Sequence, residues 1–150
     1  MMASRLGSID LLFAGIAIVA TLAAGCGRGP KVPTASVSGT VTINGRGVAN
    51  VQVTFDPVEK IRPAYGITDA TGRYTAQFLN TQSGVPLGDC VVRITYNPGG
   101  SPNNVLPESY STHAEENPEL RLTVPAAGLE FNYDIKTDKP LPSVPGDAIR

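Results

Sequence analysis

Residues 90–96 alternate with a period of two. Cys90, Val92, Ile94 and Tyr96 stand on one side, and Val91, Arg93 and Thr95 on the other. Successive side chains of a strand point to opposite faces, so this run reads as a half-buried β-strand. Similar runs recur along the chain. Val37, Gly39, Val41 and Ile43 alternate with Ser38, Thr40 and Thr42; Val51, Val53 and Phe55 alternate with Gln52 and Thr54. Tyr65 and Ile67 share a side of a short strand over 64–68, and Tyr74, Ala76 and Phe78 share a side of the next. Leu120, Leu122 and Val124 form a sixth run, and Leu129, Phe131, Tyr133 and Ile135 a seventh. Turn chemistry separates them. Asn44-Gly45 accepts the positive φ of a tight hairpin, Pro57 ends its strand, and Asp69-Ala70-Thr71-Gly72 reads as an Asp-led turn.

Seven short strands with one apolar face each imply an all-β, seven-stranded, two-sheet sandwich, because a single sheet would leave its apolar face wet. The 16 glycines and 13 prolines are spread over many turns, which suits short strands. No helical period appears from Cys26 onward, and residues 115–120 have room for one turn at most. Tyr65, Tyr74, Tyr96 and Tyr133 are expected on core faces, which leaves no exposed aromatic platform of the kind that grips sugars. Residues 97–111 form a long loop with Pro98, Pro102 and Pro107, and long loops often carry function. From residue 136 the chain holds Pro140, Pro142 and Pro145 and reads as a disordered tail over 136–150.

The N-terminal part is of another kind. Residues 11–24 are apolar but for Gly15 and Thr21, shorter than the ~20 residues a membrane-spanning helix needs. The run ends Leu22-Ala23-Ala24-Gly25-Cys26, which resembles the lipobox of bacterial lipoproteins, with Ala23 where leucine is commoner. The resemblance implies a signal peptide over 1–25, cleavage between Gly25 and Cys26, and acyl lipid (diacylglyceryl and palmitate-type chains) on Cys26. Two or more chains hold firmly where one is marginal. Residues 26–35 then form a lipidated cysteine and flexible tether. The expected location is the bacterial cell envelope, on the exported side, with the outer membrane favoured because Gly27 follows the cysteine. With Cys26 acylated, Cys90 has no partner for an internal disulfide.

Within 36–135 the runs resemble carboxypeptidase regulatory-like domains. The resemblance rests on Val37-Ser38-Gly39-Thr40-Val41 with residues 44–55, on Thr68-Asp69-Ala70-Thr71-Gly72-Arg73-Tyr74, and on residues 84–94, where tyrosine often replaces Cys90. Leu106-Pro107-Glu108-Ser109-Tyr110 with the last two runs is similar to the ending of small lipoproteins that carry this domain. The resemblance implies a transthyretin-like (prealbumin-like) Greek-key β-sandwich, a structural or binding role, and Tyr110 packed in its loop.

Candidate chemistry is sparse. The net charge of −1 gives no basic surface for nucleic acid. His113 is the only histidine, so no His triad or multi-His metal site can be assembled; it is expected to be solvated, near Glu115 and Glu116. Transthyretin-like hydrolases of hydroxyisourate rely on several histidines and a C-terminal Tyr-Arg-Gly-Ser, whereas this chain ends Asp147-Ala148-Ile149-Arg150. Asp69 and Gly72 suggest a calcium loop, but Ala70 takes a ligand position, so a plain turn is expected. Cys90 is expected to be inert core packing. No catalytic residue, metal or cofactor is assigned. The expected partners are the membrane through Cys26 and an envelope protein or a glycan; the alternative role is a glycan- or peptide-binding module that uses the 97–111 loop.

Overall fold

The computed structural model describes residues 31–98, 104–139 and 141. Gly25 and Cys26, and with them the signal peptide, cleavage and lipidation, lie outside the described residues. No helix among the described residues is long and apolar enough to cross a membrane. The described chain is all-β, with three short 3-10 turns between residues 108 and 120.

The larger sheet is built on β4 (Val51–Pro57) and β10 (Gly88–Tyr96), paired antiparallel from Cys90 opposite Pro57 to Tyr96 opposite Val51. β11 (Arg121–Val124) lies outside β10, while β5 (Ala64–Ile67), β7 (Gln77–Leu79) and β8 (Gln82–Ser83) follow beyond β4. The second sheet centres on β2 (Val37–Ile43). β3 (Arg46–Gly47) and β6 (Arg73–Thr75) pair antiparallel with it; β12 (Leu129–Glu130) and β13 (Tyr133–Ile135) pair parallel. A two-stranded ribbon joins β1 (Thr34–Ala35) to β9 (Val85–Pro86). One apolar cluster takes Val41 and Ile43 from the second sheet and Val53, Phe55, Val92 and Ile94 from the first. Burying each such side chain contributes about 1.5–3 kcal/mol.

The described residues thus carry thirteen strand segments where seven runs are expected from the alternation. Two runs are broken, for different reasons. Residues 73–79 change sheets at Ala76: Tyr74 sits opposite Gly39 in one sheet and Gln77 opposite Tyr65 in the other. The Ala76 N–H donates to Val37 O at 2.8 Å and its carbonyl accepts from Gly84 N–H at 3.0 Å, so the crossing leaves neither group unpaired. The run 129–135 is interrupted at Phe131 and Asn132 without a change of register. There the Asn132 carboxamide oxygen accepts the Thr40 N–H at 2.8 Å, in place of a backbone group. The Phe131 carbonyl turns to the Tyr74 hydroxyl, 2.9 Å away. It also lies 1.8 Å from where a Cβ on residue 39 would stand, so only glycine fits there.

The third strand corrects the sequence reading. Tyr65 and Ile67, expected on a core face, are 45% and 55% exposed, and Ala64 and Gly66 point inward. The cause is Tyr74 of β6, whose ring edge comes within 2.7 Å of a Cβ built on Gly66. The tyrosine fills the space a large residue of β5 would need.

Both ends of the folded region are longer than expected. Residues 32–35 of the expected tether are fixed: Gln82 Nε2 donates to Val32 O at 2.7 Å and Leu87 N–H to Pro33 O at 3.2 Å. At the start of the expected tail, Asn44 Nδ2 donates to Thr137 O at 2.8 Å and the Thr137 N–H returns to Asn44 Oδ1 at 3.2 Å. Asn44 itself has φ +51 beside Gly45 at +80, the pair of positive angles a tight hairpin turn needs.

Candidate functional site

Polar and aromatic side chains gather at three places, one of them on the outer face of the first sheet. Val91, Arg93 and Thr95 of β10 point outward, away from the core, and are half-buried; residues 104–120 pack against the strand and reach Arg93. Arg93 holds that cover. Its Nε lies 3.4 Å from Asp56 Oδ2, one terminal nitrogen donates to Ser111 O at 2.8 Å, and the other to Glu115 Oε1 at 2.5 Å. Arg121 adds a fork, with Nε and a terminal nitrogen both on the Glu115 carbonyl at 2.8 and 2.6 Å. Asn104 closes the other end, accepting the N–H groups of Tyr96 at 2.9 Å and Leu106 at 3.2 Å. Leu106 and Ala114 are buried beneath. A groove of about 580 Å³ remains between this cover and the 58–61 turn.

His113 sits on the cover. Nε2 lies 3.4 Å from Glu108 Oε2 and Nδ1 3.3 Å from Glu116 Oε1. Of its two acidic sequence neighbours, Glu116 meets the ring and Glu115 serves Arg93. Both ring nitrogens face carboxylates, and the side chain is about half exposed, at 52%. The ring therefore ties two short turns together at the surface. Among the described residues no three His, Cys, Asp or Glu side chains meet where a metal ion could be held.

The second place is a polar cleft of about 490 Å³ on the outer side of β2 and β6, with Ser38, Thr40, Arg73 and Glu130 on its walls. Asp69 closes one end. Its Oδ1 accepts the Thr71 hydroxyl at 2.7 Å and the N–H groups of Thr71 at 2.8 Å and Arg73 at 3.1 Å. These bonds, the Thr71 hydroxyl first, hold its carboxyl below the ordinary value of 3.8. The oxygen is thereby used within its own turn.

The third place is a row of rings. Tyr110 meets Tyr133 edge-on at 5.9 Å, Tyr133 stacks on Phe131 at 5.9 Å, and Phe131 meets Phe55 edge-on at 6.2 Å. Such pairs each add about 0.5–1.5 kcal/mol beyond area burial. Tyr110 thus packs the 104–111 part of its loop against the sandwich. Tyr133 Oη donates to Glu119 Oε2 at 2.7 Å. Partial burial, then that carboxylate, pushes its hydroxyl up to about 12.

Cys90 is buried on the inner side of β10, and burial followed by the nearby Asp89 and Asp56 charges pushes its thiol up to about 12. A thiol held protonated in this way is a poor nucleophile. The structure therefore brings His113 together with Glu108 and Glu116, but sets Cys90 and Asp69 each in separate surroundings. Sequence reasoning missed the Arg93 clamp. Its one signal was an arginine at an outward position of the longest strand. No family model, curated protein or solved structure matches the chain.

Proposed function

We propose that this chain is a lipid-anchored protein of the bacterial cell envelope. Its body is a transthyretin-like, Greek-key β-sandwich of the carboxypeptidase regulatory-like kind, and it works by contact rather than by catalysis. The observation that carries the reading is the order of parts: a short apolar run, small residues closing on Cys26, a few linking residues, then a chain held from Val32 and in β structure from Thr34. The fully used polar groups support the non-catalytic part. Asp69 is spent on its turn and Arg93 on its clamp, and the only histidine bridges two surface carboxylates. Metabolic labelling with an alkyne fatty acid tests the anchor. The wild-type chain should take up label and Cys26→Ser should not; equal labelling of the two would overturn it.

A second reading has one specific support. The uncovered part of the first sheet presents Tyr65 and Ile67 outward, with Gln52 opposite Ile67 and Gln77 opposite Tyr65. An aromatic ring flanked by amides is the chemistry that stacks on and hydrogen-bonds a sugar. For the glycan-binding alternative we therefore propose β5 rather than the 97–111 loop. A glycan array with wild type and Tyr65→Ala decides it: signal lost in the variant supports a sugar face, and a silent array removes it.

A further inference from the structure

The first long strand and the last two lie side by side and run the same way. β2 is met in parallel by β12, with Val37 opposite Leu129, and by β13, with Ile43 opposite Ile135. The chain therefore enters this seam at one end, by Ser36, and leaves it at the other, past Ile135. At ~3.3 Å per residue, Val37 and Ile43 stand about 20 Å apart along the strand. Tension on the two chain ends draws β2 toward its start and β13 toward its finish. The strands are then sheared along their length, and the bonds between them are loaded together. A pull across the strands opens the same bonds one after another.

A parallel ladder is slightly weaker per residue than an antiparallel one, and here side chains reinforce it. The backbone part includes Leu129 N–H to Ser36 O and Phe131 N–H to Ser38 O, each 2.9 Å, and Asn44 N–H to Ile135 O at 2.8 Å. Where the ladder breaks, the Asn132 carboxamide takes the Thr40 N–H. Asp134 Oδ1 accepts the Thr42 hydroxyl at 2.7 Å and the Gly45 N–H at 2.8 Å, so one carboxylate ties β13 to β2 and to the turn that follows it. The Lys136 ammonium on its other oxygen, then these two donors, hold the carboxyl down to about 2. Asp134 is thus ionised at neutral pH, and bonds to an ionised group are roughly twice as strong as neutral ones. Asn44 and Thr137 exchange two further bonds beyond it. Midway, the Phe131 carbonyl sits where a Cβ on Gly39 would stand and takes the Tyr74 hydroxyl.

These ties run from one chain end's strand to the other's. Under the anchored reading above, on which this inference rests, lipid on Cys26 holds the N-terminal side of β2. We propose that the seam of β2 with β12 and β13 is a mechanical clamp, a shear joint that keeps the sandwich folded when the membrane holds its N-terminal side and a partner pulls the chain beyond Thr137. The load reaches β2 through β1, whose two residues pair with β9 and give way first. The seam then takes the whole force.

Pulling single full-length chains in optical tweezers tests the clamp without lipid. Cys26→Ser removes the anchor thiol and Cys90 is buried, so handles attach at introduced cysteines alone. Lys31→Cys with Lys139→Cys loads the seam in shear, and Arg46→Cys with Lys139→Cys peels β13 from β2 starting at the Asn44 end; all three positions are exposed. The shear pair should need a several-fold larger force to unfold. At fixed load on that pair, Asp134→Ala should shorten the folded lifetime about ten-fold, because it removes bonds to a charged group that the load must break first. Asp89→Ala removes a like carboxylate bond, to the Thr123 hydroxyl between β10 and β11, and should leave the lifetime unchanged. Equal forces for the two handle pairs overturn the clamp and leave the anchor standing. So does a lifetime that Asp134→Ala leaves unchanged, or that Asp89→Ala shortens as much. A strong shear joint in a chain that takes no fatty-acid label overturns its use at a membrane.

Discussion

Strands β10 and β5 belong to one sheet and obey one period, yet they bury opposite kinds of side chain. β10 turns Cys90, Val92, Ile94 and Tyr96 inward and carries polar groups outside. β5 turns Ala64 and Gly66 inward and leaves Tyr65 and Ile67 in water. The difference comes from what stands across the core. Opposite β10 there is room for large aliphatic residues. Opposite β5, the Tyr74 ring already fills the layer and spends its hydroxyl on the Phe131 carbonyl. Alternation sets which residues share a face; the volume left by neighbours sets which face is inside.

The comparison can be broken by mutation, and urea titration measures each effect. Ile94→Ala should cost most, about 2–5 kcal/mol, because a fully buried side chain leaves a cavity. Gly66→Val should cost about 1–3 kcal/mol by driving a side chain into Tyr74, although valine is the better strand former. A neutral Gly66→Val would refute the account of the inverted strand. The outward pair should matter least: Tyr65→Ala and Ile67→Ala should each stay within about 0.5 kcal/mol. A large loss from either would mean that this face is covered.

A pH experiment sharpens the contrast further. β5 is short and is continued by the Asp69 turn, whereas β10 is paired with β4 over residues 90–96 and with β11 over residues 88–91. Asp69 titrates below its ordinary value of 3.8 when folded, so its contribution is fully present above that pH. It is lost as pH falls through the lower folded value. The stability gap between wild type and Asp69→Ala should therefore be widest near neutrality and close as the pH falls below about 4. A gap independent of pH would show that the carboxylate charge plays no part in the turn.

Much of the fold was legible because it depends on local chemistry. The Asn44-Gly45 turn, the Asp69-led turn and the inward face of β10 follow from residue type and spacing. The switch of sheets at Ala76 was not legible, because Tyr74, Ala76 and Phe78 stay buried on both sides of it and the pattern runs through unbroken. Nor was the Arg93 clamp, whose partners Asp56, Ser111 and Glu115 come from distant parts of the chain. The exposure of His113 was legible from its loop, and its neighbour Glu116 is close in sequence; its contact with Glu108 was not, because it depends on how two short turns face each other.

By itself the sequence determined the all-β class and the positions of its tight turns. Both rest on backbone angles and on a period of two, which each segment carries alone. Only the tertiary structure decided that β5 lies with its large residues outward, that β12 and β13 run parallel to β2, and that residues 104–120 are pinned over β10. These depend on volume and on hydrogen-bond partners supplied from elsewhere in the chain. No local pattern encodes a space that another residue has already filled.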